Sequence, residues 1–189
     1  MRRVTNWRRM VGLVALGATL AGCAGAREDA ALEAYRGQDY RRAIELSEPG
    51  ARSSERSALI AGLAAQAAGD QTQAVRWLAP LRESADPAIR GRALAGLGLV
   101  AMAEERHADA ADYLHGAAES LGGPEAARAM LLAGDASLEA GAEGQARSYY
   151  QIAQVRAGGA EPISGEIASR LGDSSAPATA VEPPEPSGD

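Results

Sequence analysis

The sequence predicts an all-α solenoid of about four helical hairpins closed by a C-terminal capping helix, and three observations carry that expectation. The first is a period of 36 residues: Gly62, Gly98 and Gly134 align, as do Ala74, Ala110 and Ala146. Arg56, Arg92 and Arg128 keep the same spacing, and so do Leu78, Leu114 and Tyr150. The second is a break inside each unit, at Gly69-Asp70, at 104–107 and at Gly141-Ala142, which divides it into two helices. The third is the lack of β-branched runs, which makes the unit helical. A period of this size marks stacked supersecondary units that bury their apolar faces on one another.

In chain order, residues 1–23 come first and read as an export signal. Arg2, Arg3, Arg8 and Arg9 precede the apolar run from Val11 to Leu20, which is too short to span a membrane. The run ends at the chain's single cysteine, in the order Leu20-Ala21-Gly22-Cys23. That order resembles the lipobox of bacterial lipoproteins. The resemblance implies that Cys23 becomes the N-terminus and carries a covalent diacylglycerol and a fatty acid, with no other cofactor. Burial of those chains, worth about 0.8 kcal/mol per methylene, would anchor the protein to a membrane it does not cross. Removal of residues 1–23 leaves 166 of 189 residues and takes away four arginines, moving the net charge from −6 to −10. So acidic a chain argues against nucleic-acid binding and against adsorption to anionic lipid without an anchor.

Helix pairs follow at about 27–36 and 39–48, 54–68 and 71–84, 88–104 and 107–121, and 125–140 and 143–157, after a short linker from residue 24. The recurrent small residues suit this arrangement. Antiparallel helices approach closely where one side chain is nearly absent, which offsets the roughly 1 kcal/mol of helix propensity that an interior glycine costs. A last amphipathic stretch, with Ile163, Ile167 and Leu171 on one stripe, is expected to cap the final repeat, so that the folded domain ends near residue 172. Residues 173–189 combine Pro177, Pro183, Pro184 and Pro186 with acidic residues and few large apolar ones, the composition of a disordered tail.

The small residue midway along the first helix of each unit, and the stretch Tyr35-Arg36-Gly37-Gln38-Asp39-Tyr40-Arg41-Arg42-Ala43-Ile44, resemble the tetratricopeptide repeat. Ala43 precedes Ala74 by 31 residues, which makes a shorter first repeat before three regular ones. The resemblance covers about residues 26–158. It implies a right-handed solenoid whose first helices line a concave groove for an extended peptide or a partner's helix. Carried onto this chain, the groove positions are Leu59, Leu63, Leu99, Met102, Leu131 and Leu138, with Arg56, Arg92 and Arg128 as a ladder at the rim. The leucines suit either the groove or the core. The arginines either balance nearby acids such as Glu55 and Glu125 or take carboxylates from an acidic extended segment of a partner.

Catalytic machinery is not visible. Lysine is absent, which excludes a phosphate loop ending in that residue, and there is no Gly-x-Ser-x-Gly elbow. His107 and His115 stand eight residues apart, about 12 Å along one helix, too far to share a metal. The expectation is a non-enzymatic lipoprotein with neither a metal nor a small-molecule substrate, acting as a protein-binding scaffold in envelope, secretion or pilus assembly. The alternative is an adaptor or regulator of peptidoglycan-remodelling enzymes. Ala24 replaces the aspartate that holds related lipoproteins in the inner membrane of some bacteria, which points to the outer membrane, facing the periplasm. Cys23→Ser is expected to abolish incorporation of labelled fatty acid and to leave the precursor unprocessed; equal labelling of variant and wild type would refute the anchor.

Overall fold

The computed structural model describes residues 25–174, so the leader with Cys23 and the tail from residue 175 lie outside the described residues. All described secondary structure is helical. Helix α1 covers 25–36, followed by α2 (Tyr40–Ser47), α3 (Glu55–Ala67), α4 (Gln71–Leu78), α5 (Pro87–Ala103), α6 (His107–Ser120), α7 (Gly123–Glu139), α8 (Glu143–Ala157) and α9 (Ile163–Ser174). Two expected ends are corrected. The helices anticipated to reach 48 and 84 stop at Ser47 and Leu78, and 3-10 turns continue them over Glu48–Gly50 and Ala79–Glu83. Pro49 and Pro80 stand in the first two positions of those turns, where a residue without an N–H breaks the α-helical ladder. The last helix also runs past the anticipated Leu171, to Ser174. No described helix is long and apolar enough to cross a membrane.

Four turns repeat one hydrogen-bond pattern. In the second, the Gly69 N–H donates to Gln66 O and the Asp70 N–H to Ala65 O. The same two bonds recur as Gln38 to Tyr35 and Asp39 to Ala34, Glu105 to Met102 and Arg106 to Ala101, and Gly141 to Leu138 and Ala142 to Ser137. Each turn satisfies helix-end carbonyls by placing one residue in the left-handed region: Gln38 (φ 63°), Gly69 (85°), Glu105 (59°) and Gly141 (77°). Glycine adopts that conformation freely, whereas Gln38 and Glu105 do so at a steric cost of roughly 1–2 kcal/mol. Asp39 and Asp70 then begin the next helix by accepting the N–H groups of Arg42 and Gln73.

Each helix from α2 onward packs against its successor, and α3 also meets α5, as α7 meets α9. Pairing within α5–α6 is antiparallel: Gly91 faces Leu121, Gly98 faces Leu114 and Gly116 faces Leu94. The glycine column is the contact line. A Cβ at Gly62 or Gly98 would fall 2.6 Å from Leu78 or Leu114, and at Gly134 it would enter the Tyr150 ring. Ala43, Ala74, Ala110 and Ala146 are fully buried in the second helix of each pair. The apolar residues gather in three clusters, around α1–α3, α3–α5 and α5–α9. α5 is enclosed on most sides, which is why Ala93, Leu97, Val100 and Ala101 are all buried and its apolar residues follow no single stripe.

Gly98→Leu is expected to cost about 1–3 kcal/mol, read as a lowered melting temperature, because the added atoms overlap Leu114. Gly144→Ala in α8, where nothing lies within 4 Å, is the control and should raise stability by roughly 0.4–1 kcal/mol. Equal effects at the two sites would place Gly98 away from the helix contact.

Candidate interaction groove

Helices α5 and α7 stand side by side with a cavity of about 470 Å³ between them. Arg92, Ala95 and Leu99 line it from α5, while Glu125, Arg128, Ala129 and Leu132 line it from α7. Leu114 and Leu121 of α6 close its floor. The cavity coincides with a change in the repeat register. At the α3–α5 contact, Leu63 and Leu78 fill the space that a side chain at Gly96 would need. One period later the same two positions are Leu99 and Leu132, both large. α3 and α5 meet closely, whereas α5 and α7 are absent from the closely contacting helix pairs.

Three of the expected groove residues, Arg92, Leu99 and Arg128, are brought together here. The others are dispersed. Leu59 and Leu131, open to either groove or core from the sequence, are 7% and 3% exposed and lie in core clusters. Leu131 sits about 100° round α7 from Leu132, which turns it from the cavity into the protein. Leu63 and Met102 are half-buried against core clusters, and Leu138 is 43% exposed. Arg56 lies at the start of α3, beside α1. Leu132, Leu121, Ala95 and Pro124 were not anticipated, although Leu132 follows Arg128 by four residues and therefore shares its helix face.

The arginines of the ladder do not pair with the acids nearest in sequence. Arg92 donates through Nη2 to both carboxylate oxygens of Glu125, at 3.0 and 3.2 Å, and through Nε to Oε1 at 3.4 Å, tying α5 to α7. Arg128 reaches Glu166 on α9, and Arg56 meets Asp29 on α1 at 2.8 Å. Glu55 instead accepts the Ser84 hydroxyl at 2.7 Å. Both partners of the Arg92–Glu125 pair are about half exposed, and such a pair contributes 0 to about 1 kcal/mol. A ligand carboxylate could therefore replace Glu125 at little cost.

Polar groups elsewhere hold helix ends and helix faces. Glu28 accepts the hydroxyls of Ser54 (2.5 Å) and Ser57 (2.6 Å) at the start of α3. Those hydroxyls, Ser54 first, hold its carboxyl below the ordinary value, with Arg56 adding a smaller effect against desolvation. The Tyr150 phenol donates to Asp135, which also accepts from Arg170. Burial first, and the Asp135 carboxylate second, push that phenol far above its usual range, so Tyr150 stays neutral. His115 stacks on Tyr149 with ring centroids 5.3 Å apart. Among the described residues no cluster of three His, Cys, Asp or Glu side chains is arranged to hold a metal ion.

Neither the protein-family models nor the curated proteins compared with this chain match it.

Because the folded-state pKa of Glu28 is lowered, its contribution to stability is present above the ordinary 4.5 and is lost as pH falls through the folded value. Glu28→Gln should therefore flatten the loss of stability between pH 5 and pH 3, measured by denaturant unfolding. An identical pH profile in the variant would show that the two serine contacts do not favour the ionised form.

Proposed function

We propose that this chain is a non-catalytic, lipid-anchored scaffold that captures a partner protein in the α5–α7 groove. In this reading the four turns mark four tetratricopeptide-like hairpins stacked as a right-handed solenoid, with α9 as the capping helix. Cys23 holds the domain to the outer membrane on its periplasmic side, where it serves envelope, secretion or pilus assembly. The turn pattern supports the repeat reading because it recurs at intervals of 31, 36 and 36 residues, the intervals that separate the buried alanines. The Leu20-Ala21-Gly22-Cys23 order supports the anchor.

The observation that carries the binding function is the cavity itself. It combines an apolar floor and walls, suited to one or two side chains of a bound segment, with two arginines whose present carboxylate partners are exposed and exchangeable. An acidic extended segment meets both requirements. Its apolar residues would displace water from Leu99, Leu121 and Leu132, and its carboxylates would take the bidentate guanidinium sites.

The test is a photo-crosslinking residue placed at Leu99 in the anchored protein in living cells, with Val155 as the comparison site because it is 81% exposed on α8. One envelope protein should be trapped at Leu99 and not at Val155, and combined Arg92→Glu and Arg128→Glu should abolish the product with helicity unchanged. Equal trapping at both sites, or undiminished trapping in the double variant, would refute the groove.

A further inference from the structure

A second cavity, of about 400 Å³, lies where the loop entering α3 faces the end of α4. Arg52 and Ala58 stand on one side, and Arg76, Trp77, Pro80 and Leu81 on the other. It shares no residue with the α5–α7 groove. Trp77 is 8% exposed, and its indole N–H has no acceptor among the described residues. A buried donor left unpaired is unfavourable, and it belongs to a residue that lines the cavity. Arg52 makes no ion pair among the described residues, and Arg76 lies over the Trp77 ring, 4.8 Å from its centroid, rather than against a carboxylate. The single acid on the wall, Glu55, is engaged by the Ser84 hydroxyl. The wall is therefore net positive in a chain whose net charge is −6.

An aromatic ring, a proline and two guanidinium groups with no carboxylate partner among the described residues, around one hollow, suit an acidic, proline-rich segment bound as a polyproline helix. Such segments lose little entropy on binding and lay proline rings on aromatic walls. In that helix residues three apart share an edge, about 9 Å from one another. The chain contains such a segment, Glu182-Pro183-Pro184-Glu185-Pro186, whose two glutamates are three apart. A second copy is the better-placed donor, because the chain's own segment would have to run almost fully extended. α9 packs on α7 and α8, whereas the cavity is built on α3 and α4, with α5 and α6 between. Three helix spacings of 8–10 Å separate α9 from α3 by roughly 24–30 Å sideways. The eight residues from Ser174 to Glu182 extend at most about 29 Å, and they must also turn back along the helices to the start of α3.

We propose that the Trp77 cavity binds residues 182–186 of a second copy of this chain, with Glu182 and Glu185 on Arg52 and Arg76 and the prolines against Trp77 and Pro80. A peptide carbonyl supplies the acceptor that the indole N–H lacks. Trp77 lines the cavity, so its fluorescence reports binding there. Donor segment and acceptor cavity lie on different parts of the surface, so the contact is heterologous and joins copies head to tail.

The processed chain, Cys23–Asp189, has Trp77 as its only tryptophan, which provides the readout. Titration of the dilute chain with a synthetic peptide of residues 178–188 should give a saturable change in Trp77 emission. Arg52→Glu with Arg76→Glu should weaken that binding at least tenfold, and a peptide carrying Glu182→Arg and Glu185→Arg should restore it. In sedimentation, the chain should self-associate as its concentration rises, and Glu182→Arg with Glu185→Arg in the chain should abolish this. No emission change at millimolar peptide would overturn the proposal. So would equal binding of a peptide with its prolines replaced by alanine, or a tail-dependent emission that does not vary with chain concentration, which would mean that each chain fills its own cavity. None of these outcomes bears on the α5–α7 groove.

Discussion

Size complementarity across one helix contact governs the rest of this structure. In three successive pairs, a glycine in the first helix faces a large side chain in the second: Gly62 with Leu78, Gly98 with Leu114, Gly134 with Tyr150. Leu78, Leu114 and Tyr150 are all fully buried. The large residue can lie flat on the opposing backbone only because the glycine offers no Cβ. Close approach then lets alanines complete the core, and alanine suits this because it is the best helix former and loses no side-chain entropy on burial. The chain contains no phenylalanine, and much of its core consists of alanine. A core of this kind depends on short interhelical distances more than on large buried side chains, so a single misplaced methylene at the glycine column is felt strongly.

The turns and ion pairs work within the limits that this contact sets. In three pairs the turn must deliver the second helix at the angle that brings its large residue over the glycine, and the same pair of hydrogen bonds forms there and in the α1–α2 turn. That geometry is worth enough for Gln38 and Glu105 to adopt left-handed backbone without being glycine. The ion pairs of the arginine ladder act at another level, between helices of successive pairs. Arg92 to Glu125 and Arg128 to Glu166 cross from α5 to α7 and from α7 to α9. They are exposed and individually weak, so packing sets the spacing and the charges select among nearby orientations.

Much of this order is visible in the sequence because the glycine and alanine columns obey one period. The helix breaks at Gly69 and Gly141 announce themselves by residue type, and the break at Glu105 only by its place in the register. What escaped reading has physical reasons. Pro49 and Pro80 convert expected helical turns to 3-10 geometry, since loss of an N–H acts locally and interrupts the apolar pattern only slightly. The partners of Arg92 and Arg128 lie 33 and 38 residues ahead, so proximity in sequence suggested the wrong acids. Leu59 and Leu131 could not be assigned to core or groove from the repeat alone, because both faces of an inward helix accept leucine; only the rotation of each helix against its neighbours decides.

The groove shows most clearly how a departure from the repeat can matter more than the repeat. Leu99 follows the pattern of Leu63, but Leu132 stands where Gly96 stood, and α5 and α7 approach each other less closely than α3 and α5 do. Alignment on shared glycines draws attention to columns that agree, whereas the cavity coincides with a column that disagrees. A space opened in this way is lined by whatever the neighbouring positions carry, here Ala95 and Ala129 at the sides and Leu114 and Leu121 beneath. Small side walls leave room for a ligand side chain, and a leucine floor favours an apolar one. Because Arg92 and Arg128 occupy the ladder positions on both bordering helices, the apolar opening is flanked by guanidinium groups without any change to the repeat. The apolar cleft thus coincides with a glycine-to-leucine difference between equivalent positions, and its charged rim comes from the ladder that the repeat leaves unchanged.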